Sequence, residues 1–160
     1  MWEITLICVG KLKEAFWASA CDEYKKRLGA YARLDIVELP EYRLSQKPSD
    51  AEIANALERE GEEILKKVPK GAKVAAMCIE GQTSDSPGFS RRVFDCGVGG
   101  TSKLCFIIGG SNGMSPKVKA EADWRLSMSP MTFPHHLARV MLLEQIYRAF
   151  QIGTGGSYHK

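Results

Sequence analysis

The chain ends in Tyr158, His159 and Lys160, side-chain types that together could act on a nucleobase. An imidazole titrates near neutral pH, so His159 could accept a proton as a general base. The ring of Tyr158 could stack on a base. The alternative interpretation is an ordinary frayed terminus, because the preceding segment 153–157 (Gly-Thr-Gly-Gly-Ser) has a flexible composition.

Two arginines of a predicted C-terminal helix are candidates for binding phosphate. Arg139 and Arg148 lie nine residues apart, with Glu144 between them. We expect the two arginines to share nearly one helical face, where a guanidinium binds phosphate oxygens in a bidentate manner. A solvated face with a local ion pair explains the same residues equally well, and charge alone does not decide between the two interpretations.

Two predicted strands end in glycines, at Ile79-Glu80-Gly81 and at Ile108-Gly109-Gly110. Ligands of open α/β sheets bind beyond the carboxyl ends of strands, and glycine lets the backbone approach a ligand closely. The alternative is that these glycines only make tight turns. The chain lacks both the G-x-G-x-x-G and the G-x-x-x-x-G-K-[ST] spacing, which disfavours dinucleotide and nucleoside triphosphate sites.

The histidine and cysteine pattern predicts neither a metal site nor disulfides. His135 and His136 are adjacent, so they point in different directions on a helix, and no third ligand lies at metal-binding spacing. We expect them to contact a helix terminus or a partner instead. The five cysteines form no C-x-x-C pair, which favours free thiols in a reducing compartment. The net charge of +3 permits nucleic acid as a partner but does not reveal one.

The elements that must position these residues alternate along the chain between strand-length apolar runs and segments of helical period. Strands are predicted at 2–9, 34–39, 73–79 and 103–108, and a further strand begins at 126. Helices are predicted at 14–32, 51–68 and 116–123, and two further helices begin at Ser86 and at 134. This alternation predicts an α/β fold with a mainly parallel sheet and helices on both faces. Without a repeat or a break in composition, we expect a single domain, residues 1–160.

No segment has the pattern of a targeting or membrane-spanning sequence. The apolar run at residues 2–9 is too short for a signal peptide and has no basic leader. No apolar run approaches the roughly 20 residues needed to cross a bilayer. We therefore expect a cytoplasmic protein with no membrane partner.

Several segments occur together in a specific order and spacing. They are 106–115 (Phe-Ile-Ile-Gly-Gly-Ser-Asn-Gly-Met-Ser), 126–135 (Leu-Ser-Met-Ser-Pro-Met-Thr-Phe-Pro-His), 139–150 (Arg-Val-Met-Leu-Leu-Glu-Gln-Ile-Tyr-Arg-Ala-Phe) and Tyr158-His159. With Val9-Gly10-Lys11 and Ile79-Glu80-Gly81, they make the whole chain resemble the RlmH family of SPOUT-class methyltransferases. Members of that family methylate N3 of a pseudouridine in large-subunit (23S) ribosomal RNA.

The resemblance implies an α/β fold whose C-terminal part forms a trefoil knot, and a homodimer in which each cofactor pocket lies close to the partner chain. The implied cofactor is S-adenosylmethionine, and assembled ribosomes are the expected substrate. The cofactor contacts carried over from the family are Met77, Gly109, Met128, Ser129, Pro130, Met131, Thr132 and Phe133. The resemblance also makes His159 the candidate base and Tyr158 the candidate base-stacking residue, with Arg139, Arg148 and Lys160 at RNA phosphates.

The chain departs from the family pattern at three places. The family more often has an acidic residue at the position of Ser111-Asn112, proline before Tyr158, and arginine in place of Lys160. Lysine lacks the bidentate fork of arginine, which weakens a specific role for Lys160. Two other functions stay open: a SPOUT methyltransferase acting on tRNA or another RNA, and a non-catalytic ribosome-binding factor. A nicotinamide-dependent oxidoreductase is disfavoured by the missing fingerprint.

Overall fold

Strands and helices alternate along all 160 residues of the protein, which we describe from a computed structural model. In chain order the elements are β1 (Trp2–Val9), α1 (Ala15–Leu28), β2 (Ala32–Leu39), α2 (Asp50–Lys67), β3 (Lys73–Thr83), α3 (Ser86–Val98), β4 (Lys103–Ile108), α4 (Pro116–Glu121), β5 (Trp124–Ser127) and α5 (His135–Gly153). None of these helices has the combination of length and apolar character that crossing a membrane requires.

The five strands form one sheet in the order β2-β1-β4-β3-β5, and every neighbouring pair is parallel. Leu6 of β1 lies in the middle of this sheet, between Ile36 of β2 and Phe106 of β4. The central strand β4 and its neighbour β1 are mostly buried and apolar, as expected for strands covered on both faces. The predicted α/β fold is confirmed.

Helices cover both faces of the sheet, as predicted. Successive side chains of a strand point to opposite faces, so Leu6 and Cys8 of β1 join one apolar layer and Ile7 and Val9 join another. The first layer also contains buried residues of α1, α3 and α5, and the second contains buried residues of α2 and α4. The trefoil knot that the family resemblance implies stays a prediction.

The strand β3 is longer than the sequence indicates, and the prediction that Ile79-Glu80-Gly81 forms a loop after it is wrong. The strand continues to Thr83, with a shift of register against β5 between Met77 and Gln82. Gly81 is needed for packing rather than for a turn, because a Cβ atom there would lie only 2.7 Å from the carbonyl carbon of Arg125 in β5. The backbones of the two strands therefore approach closely beside this bulge.

A buried ion pair joins the first turns of α5 to the ends of β1 and β2. The Arg139 side chain is 2% exposed, and its Nη1 donates to Glu38 Oε2 at 2.6 Å. Arg139 Nη2 also donates to the carbonyl oxygen of Gly10 at 3.1 Å, and Glu38 accepts the Leu12 N–H at 3.2 Å. Burial works against ionisation of Glu38, but the hydrogen bonds from Arg139 and Leu12 outweigh it and lower the pKa of Glu38 below its usual 4.5.

Replacing Glu38 with alanine should destabilise the protein, because it leaves the Arg139 guanidinium buried without a carboxylate. We expect the free energy of unfolding at pH 7 to fall by roughly 2–3 kcal/mol, measured by urea denaturation. Since the pKa of Glu38 is lowered by folding, its contribution is complete above pH 4.5 and is lost as the pH falls through the folded-state pKa. The difference between wild type and variant should therefore shrink in acid.

Glu3→Ala is the matched control for this variant. The carboxylate of Glu3 is 45% exposed and lies 3.5 Å from Arg33 and 3.9 Å from Lys103. Exposed pairs of this kind contribute at most about 1 kcal/mol. Equal losses in the two variants, or a gap between Glu38→Ala and wild type that widens in acid, would show that the buried pair does not stabilise the fold.

Candidate active site

A cavity of about 280 Å³ lies beyond the carboxyl ends of β3, β4 and β5. This edge is where open α/β sheets bind ligands, and the volume is near the lower end of the usual range of roughly 300–1,000 Å³. Its wall contains most of the residues that the family resemblance assigns to the cofactor: Met77, Gly109, Met128, Ser129, Met131, Thr132 and Phe133. Pro130, the remaining residue of that set, is exposed and does not line the cavity.

The loop after β4 contributes peptide groups to the cavity wall. Gly109, Gly110 and Gly113 line it, and the loop closes on itself through a hydrogen bond from Gly113 N–H to Gly110 O at 3.0 Å. A Cβ atom on Gly109 would run into the carbonyl oxygen of Gly113, and Gly113 itself has a φ of +91°, which side chains rarely tolerate. The tight turn therefore requires glycine at both positions.

The segment between β5 and α5 forms the opposite wall and is held by short-range hydrogen bonds. Ser127 Oγ donates to the carbonyl oxygen of Ser129, and Ser129 Oγ accepts the N–H of Met131, both at 3.0 Å. The side chains around the cavity are mainly apolar. Such a wall suits a flat aromatic ring held by apolar contacts and by backbone donors and acceptors.

Polar side chains enter the cavity wall at two places. Lys119 of α4 forms an ion pair with Glu80 of the β3 bulge, and the hydrogen bond from Lys119 lowers the pKa of Glu80. His135 lies in the first turn of α5 and lines the cavity. Burial, and then the neighbouring His136, lower the pKa of His135 below 6.5, which favours a neutral imidazole at pH 7. Nowhere do three or more potential ligands cluster closely enough to hold a metal ion.

The C-terminal tail folds back on α5 and does not enter the cavity. The Tyr158 hydroxyl donates to Glu144 at 3.2 Å, and Glu144 also forms an ion pair with Arg148. Burial, followed by the charge of Glu144, raises the pKa of Tyr158. The Arg148 guanidinium lies 4.7 Å from the centre of the Tyr158 ring, and its Nη1 is 3.1 Å from His159 Nδ1. A guanidinium can only donate, so His159 Nδ1 is the acceptor in this contact.

A second groove lies beside this tail, next to the cavity. His159 and Glu144 line the groove, which shares Leu126, Ser127 and Met128 with the cavity wall. The end of β5 and the residue that follows it therefore separate the two concave surfaces. In one chain, His159 therefore lies in the groove on one side of this partition, and the cavity that contains most of the predicted cofactor residues lies on the other.

Three residues are predicted to contact phosphate, and the prediction for Arg139 is wrong, because its guanidinium is buried and paired with Glu38. The expectation that Arg139 and Arg148 share a face is also wrong. A separation of nine residues is about two and a half helical turns, so the two side chains point to opposite sides of α5. Arg148 is partly exposed in its ion pair with Glu144, and Lys160 is exposed and forms no ion pair.

A family model described as "Predicted SPOUT methyltransferase" matches residues 2–159. The chain belongs to this SPOUT methyltransferase family. "Ribosomal RNA large subunit methyltransferase H 1" of Clostridium perfringens (strain SM101 / Type A) is 48% identical over 157 residues, covering 98% of this chain and 99% of that protein. "Ribosomal RNA large subunit methyltransferase H" of Bifidobacterium animalis subsp. lactis is 46% identical over the same shares of the two chains.

A solved structure supports the fold of this SPOUT methyltransferase. The structure of a probable methylase family protein from Haemophilus influenzae Rd KW20 aligns with a TM-score of 0.54 over 98% of this chain and 70% of that chain. The two sequences are only 13% identical, so the likeness concerns the fold alone.

Sequence patterns do not reveal several residues of the SPOUT cavity. Met114 lines it from the loop after β4, Lys119 from α4 and Cys78 from the β3 bulge. His135 stands out in the sequence only as a possible metal ligand. Its position directly after the segment 128–134 is the one signal that could have placed it in the wall.

Replacing Gly109 with alanine should displace the glycine loop, because the new Cβ atom would meet the Gly113 carbonyl group, whose carbon lies at 2.7 Å. We expect a loss of roughly 1–3 kcal/mol in the free energy of unfolding. Amide hydrogen exchange at residues 109–114 should become faster. Thermal denaturation and exchange mass spectrometry measure the two effects.

Gly99→Ala is the control for Gly109→Ala. Gly99 has a φ of −73°, and a Cβ atom there would lie 3.4 Å from its nearest neighbour, Asp95 O. This substitution should leave exchange in the glycine loop unchanged. If Gly109→Ala behaves like Gly99→Ala in both measurements, the tight packing of the loop is not required.

Proposed function

We propose that this SPOUT methyltransferase transfers a methyl group from S-adenosylmethionine to N3 of a pseudouridine in 23S ribosomal RNA, acting on assembled ribosomes. The observation that carries the proposal is the nearly full-length identity of 46–48% to proteins named ribosomal RNA large subunit methyltransferases H. The cavity at the carboxyl edge of the sheet supports the cofactor, because it collects seven of the eight residues that the family resemblance assigns to it.

The cavity wall fits S-adenosylmethionine in shape and chemistry. Gly109 and Gly110 present peptide groups without side chains in front of them, and Met77, Met128 and Phe133 supply apolar surface for an adenine ring. The bound cofactor supplies an electrophilic methyl group on a positively charged sulfur. The protein contributes alignment of the attacking nitrogen with that methyl group and exclusion of water.

The attacking N3 of pseudouridine must lose its proton, and His159 is the residue we propose to take it. In the observed conformation His159 Nδ1 accepts a hydrogen bond from Arg148 Nη1 and is not available to accept a proton. His159 can act as a base only after it leaves Arg148. In this proposal Tyr158 moves with His159 and stacks on the target base, and Arg148 and Lys160 bind RNA phosphates.

A homodimer forms part of the proposal. Two large apolar side chains, Met131 and Ile79, line the mouth of the cavity and are 71% and 48% exposed. Val140 and Met141 of α5 are only half-buried and line the neighbouring groove. An apolar surface beside a ligand site is typical of a contact with another protein chain. A ribosomal substrate also implies that the protein works in the cytoplasm.

Methyl transfer to ribosomes tests the activity directly. Ribosomes carrying the target pseudouridine should acquire labelled methyl groups from S-adenosylmethionine, and ribosomes with uridine at that position should acquire none. Nuclease mapping should place the label at one nucleotide. Equal transfer to both ribosome preparations would contradict the specificity, and transfer to tRNA but not to ribosomes would contradict the substrate. Binding to ribosomes without any transfer would favour a non-catalytic binding factor.

Replacing His159 with alanine should lower turnover by roughly 100-fold or more, since general-base catalysis contributes on that order. The affinity for S-adenosylmethionine, measured by titration calorimetry, should stay within about twofold of wild type, because His159 does not line the cavity. Single-turnover methylation of ribosomes measures the rate.

His159→Asn is the matched control for proton transfer. Its amide oxygen can accept a hydrogen bond from Arg148, as His159 Nδ1 does, but an amide does not titrate near pH 7. His159→Asn should therefore be as slow as His159→Ala. Recovery of the rate in His159→Asn would show that the side chain only docks the tail.

A further inference from the structure

Glu41 connects the segment after β2 to the glycine loop that lines the cavity. Its Oε1 accepts hydrogen bonds from both the backbone N–H and the hydroxyl of Ser111, each at 3.0 Å. Glu41 and Ser111 are 70 residues apart in the sequence. They meet because β2 and β4 flank β1 in the sheet and end at the same edge. The contact thus reaches the glycine loop from outside the cavity.

The packing around the Glu41 carboxylate shows how closely it sits against the loop backbone. A Cβ atom on Gly110 would lie 2.7 Å from Glu41 Oε1, so only a hydrogen atom fits there. A Cβ atom on Gly10 would lie 3.9 Å from Glu41 Cγ and 3.6 Å from His135 Nε2. Two glycines therefore border the space that Glu41 occupies, and a cavity-wall histidine borders the same space.

Ser111 donates its hydrogen bonds to Glu41 and to no other residue of the protein. The loop closes through Gly113 N–H and Gly110 O, and the Ser111 N–H donates to Glu41 instead. Burial works against ionisation of Glu41, but the two Ser111 bonds and the nearby His135 lower its pKa below 4.5. Glu41 is therefore ionised at neutral pH, and hydrogen bonds to an ionised carboxylate are stronger than neutral ones.

We propose that Glu41 is a positioning residue that holds the loop from Gly109 to Gly113 in the conformation that binds the cofactor. This inference rests on the proposed function, because it takes the cavity to be the S-adenosylmethionine site. Glu41 does not line the cavity. It acts through Ser111, by fixing the peptide groups on either side of that residue.

The test compares cofactor binding by wild type, Glu41→Ala and Glu41→Gln, using titration calorimetry with S-adenosylmethionine. Glu41→Ala should weaken binding about 2- to 5-fold, since two charge-assisted hydrogen bonds that fix the loop are lost and water accepts from the exposed Ser111 N–H instead. Glu41→Gln keeps an oxygen that can accept both hydrogen bonds, so it should restore most of the affinity. In steady-state methylation, Glu41→Ala should raise KM for the cofactor more than it lowers kcat.

Hydrogen exchange without cofactor gives a second, independent measurement. Amides of residues 109–114 should exchange faster in Glu41→Ala than in wild type, and close to the wild-type rate in Glu41→Gln. Glu14→Ala is the control for loss of a negative charge near this edge, because Glu14 precedes α1, after β1, and its side chain makes no capping hydrogen bond. It should change neither measurement.

The outcomes separate this inference from the proposed function. If wild type binds S-adenosylmethionine and Glu41→Ala binds it equally well, Glu41 does not position the loop. The inference also fails if Glu41→Gln is as weak as Glu41→Ala, since acceptance of the Ser111 bonds would then be irrelevant. If wild type itself binds no S-adenosylmethionine, the proposed function is wrong and this inference falls with it, whereas loop exchange reports the contact in either case.

Discussion

All five strands run in the same direction, so every strand delivers its carboxyl end to one edge of the sheet. This constraint brings together segments that are far apart in the sequence: the β3 bulge, the glycine loop after β4 and the segment after β5. Each of these segments offers mainly apolar side chains and peptide groups, and none forms a site by itself. The cavity exists only because the parallel sheet places them around a common space. The loops after β1 and β2 reach the same edge, which is how Gly10 and Glu41 come to lie beside His135.

The Arg139–Glu38 pair fixes the start of α5 against this edge. Burying a guanidinium is costly, and one of its nitrogens, Nε, has no hydrogen-bond partner. Such pairs contribute more to a defined arrangement than to net stability in some proteins. Here the pair sets the position of the first turns of α5 relative to the ends of β1 and β2. Because His135 and the segment 128–134 directly precede Arg139, the ion pair also sets one wall of the cavity.

Local sequence patterns predict most of the elements but few of the contacts between them. The period of apolar residues identifies the strands and helices, and Ser49 caps α2 in a capping box with Glu52. The proposed cofactor residues follow from family resemblance and not from any charged cluster, because they offer mainly peptide groups and apolar surface to the cavity. Arg139 shows the limit of the pattern: its partner Glu38 lies 101 residues away, and nothing in the helix itself distinguishes a buried arginine from a phosphate ligand. Gly81 is a second residue whose role the local sequence does not reveal. The close approach of β5 leaves no room for a side chain at Gly81, and that approach depends on the register between β3 and β5.

The tail illustrates how one guanidinium can couple two events. Arg148 donates to Glu144 through Nε and Nη2, donates to His159 through Nη1 and lies over the ring of Tyr158. These contacts use three of the five N–H groups of the guanidinium, so two remain for a phosphate. A phosphate bound in a bidentate manner through Nη1 and Nη2 would share both nitrogens with His159 and Glu144. Loss of the Nη1 bond frees the His159 Nδ1 position, which a proton acceptor needs. In the proposed reaction, an RNA phosphate that displaces His159 from Arg148 would release the histidine toward the target base, and the docked tail would be the conformation without substrate.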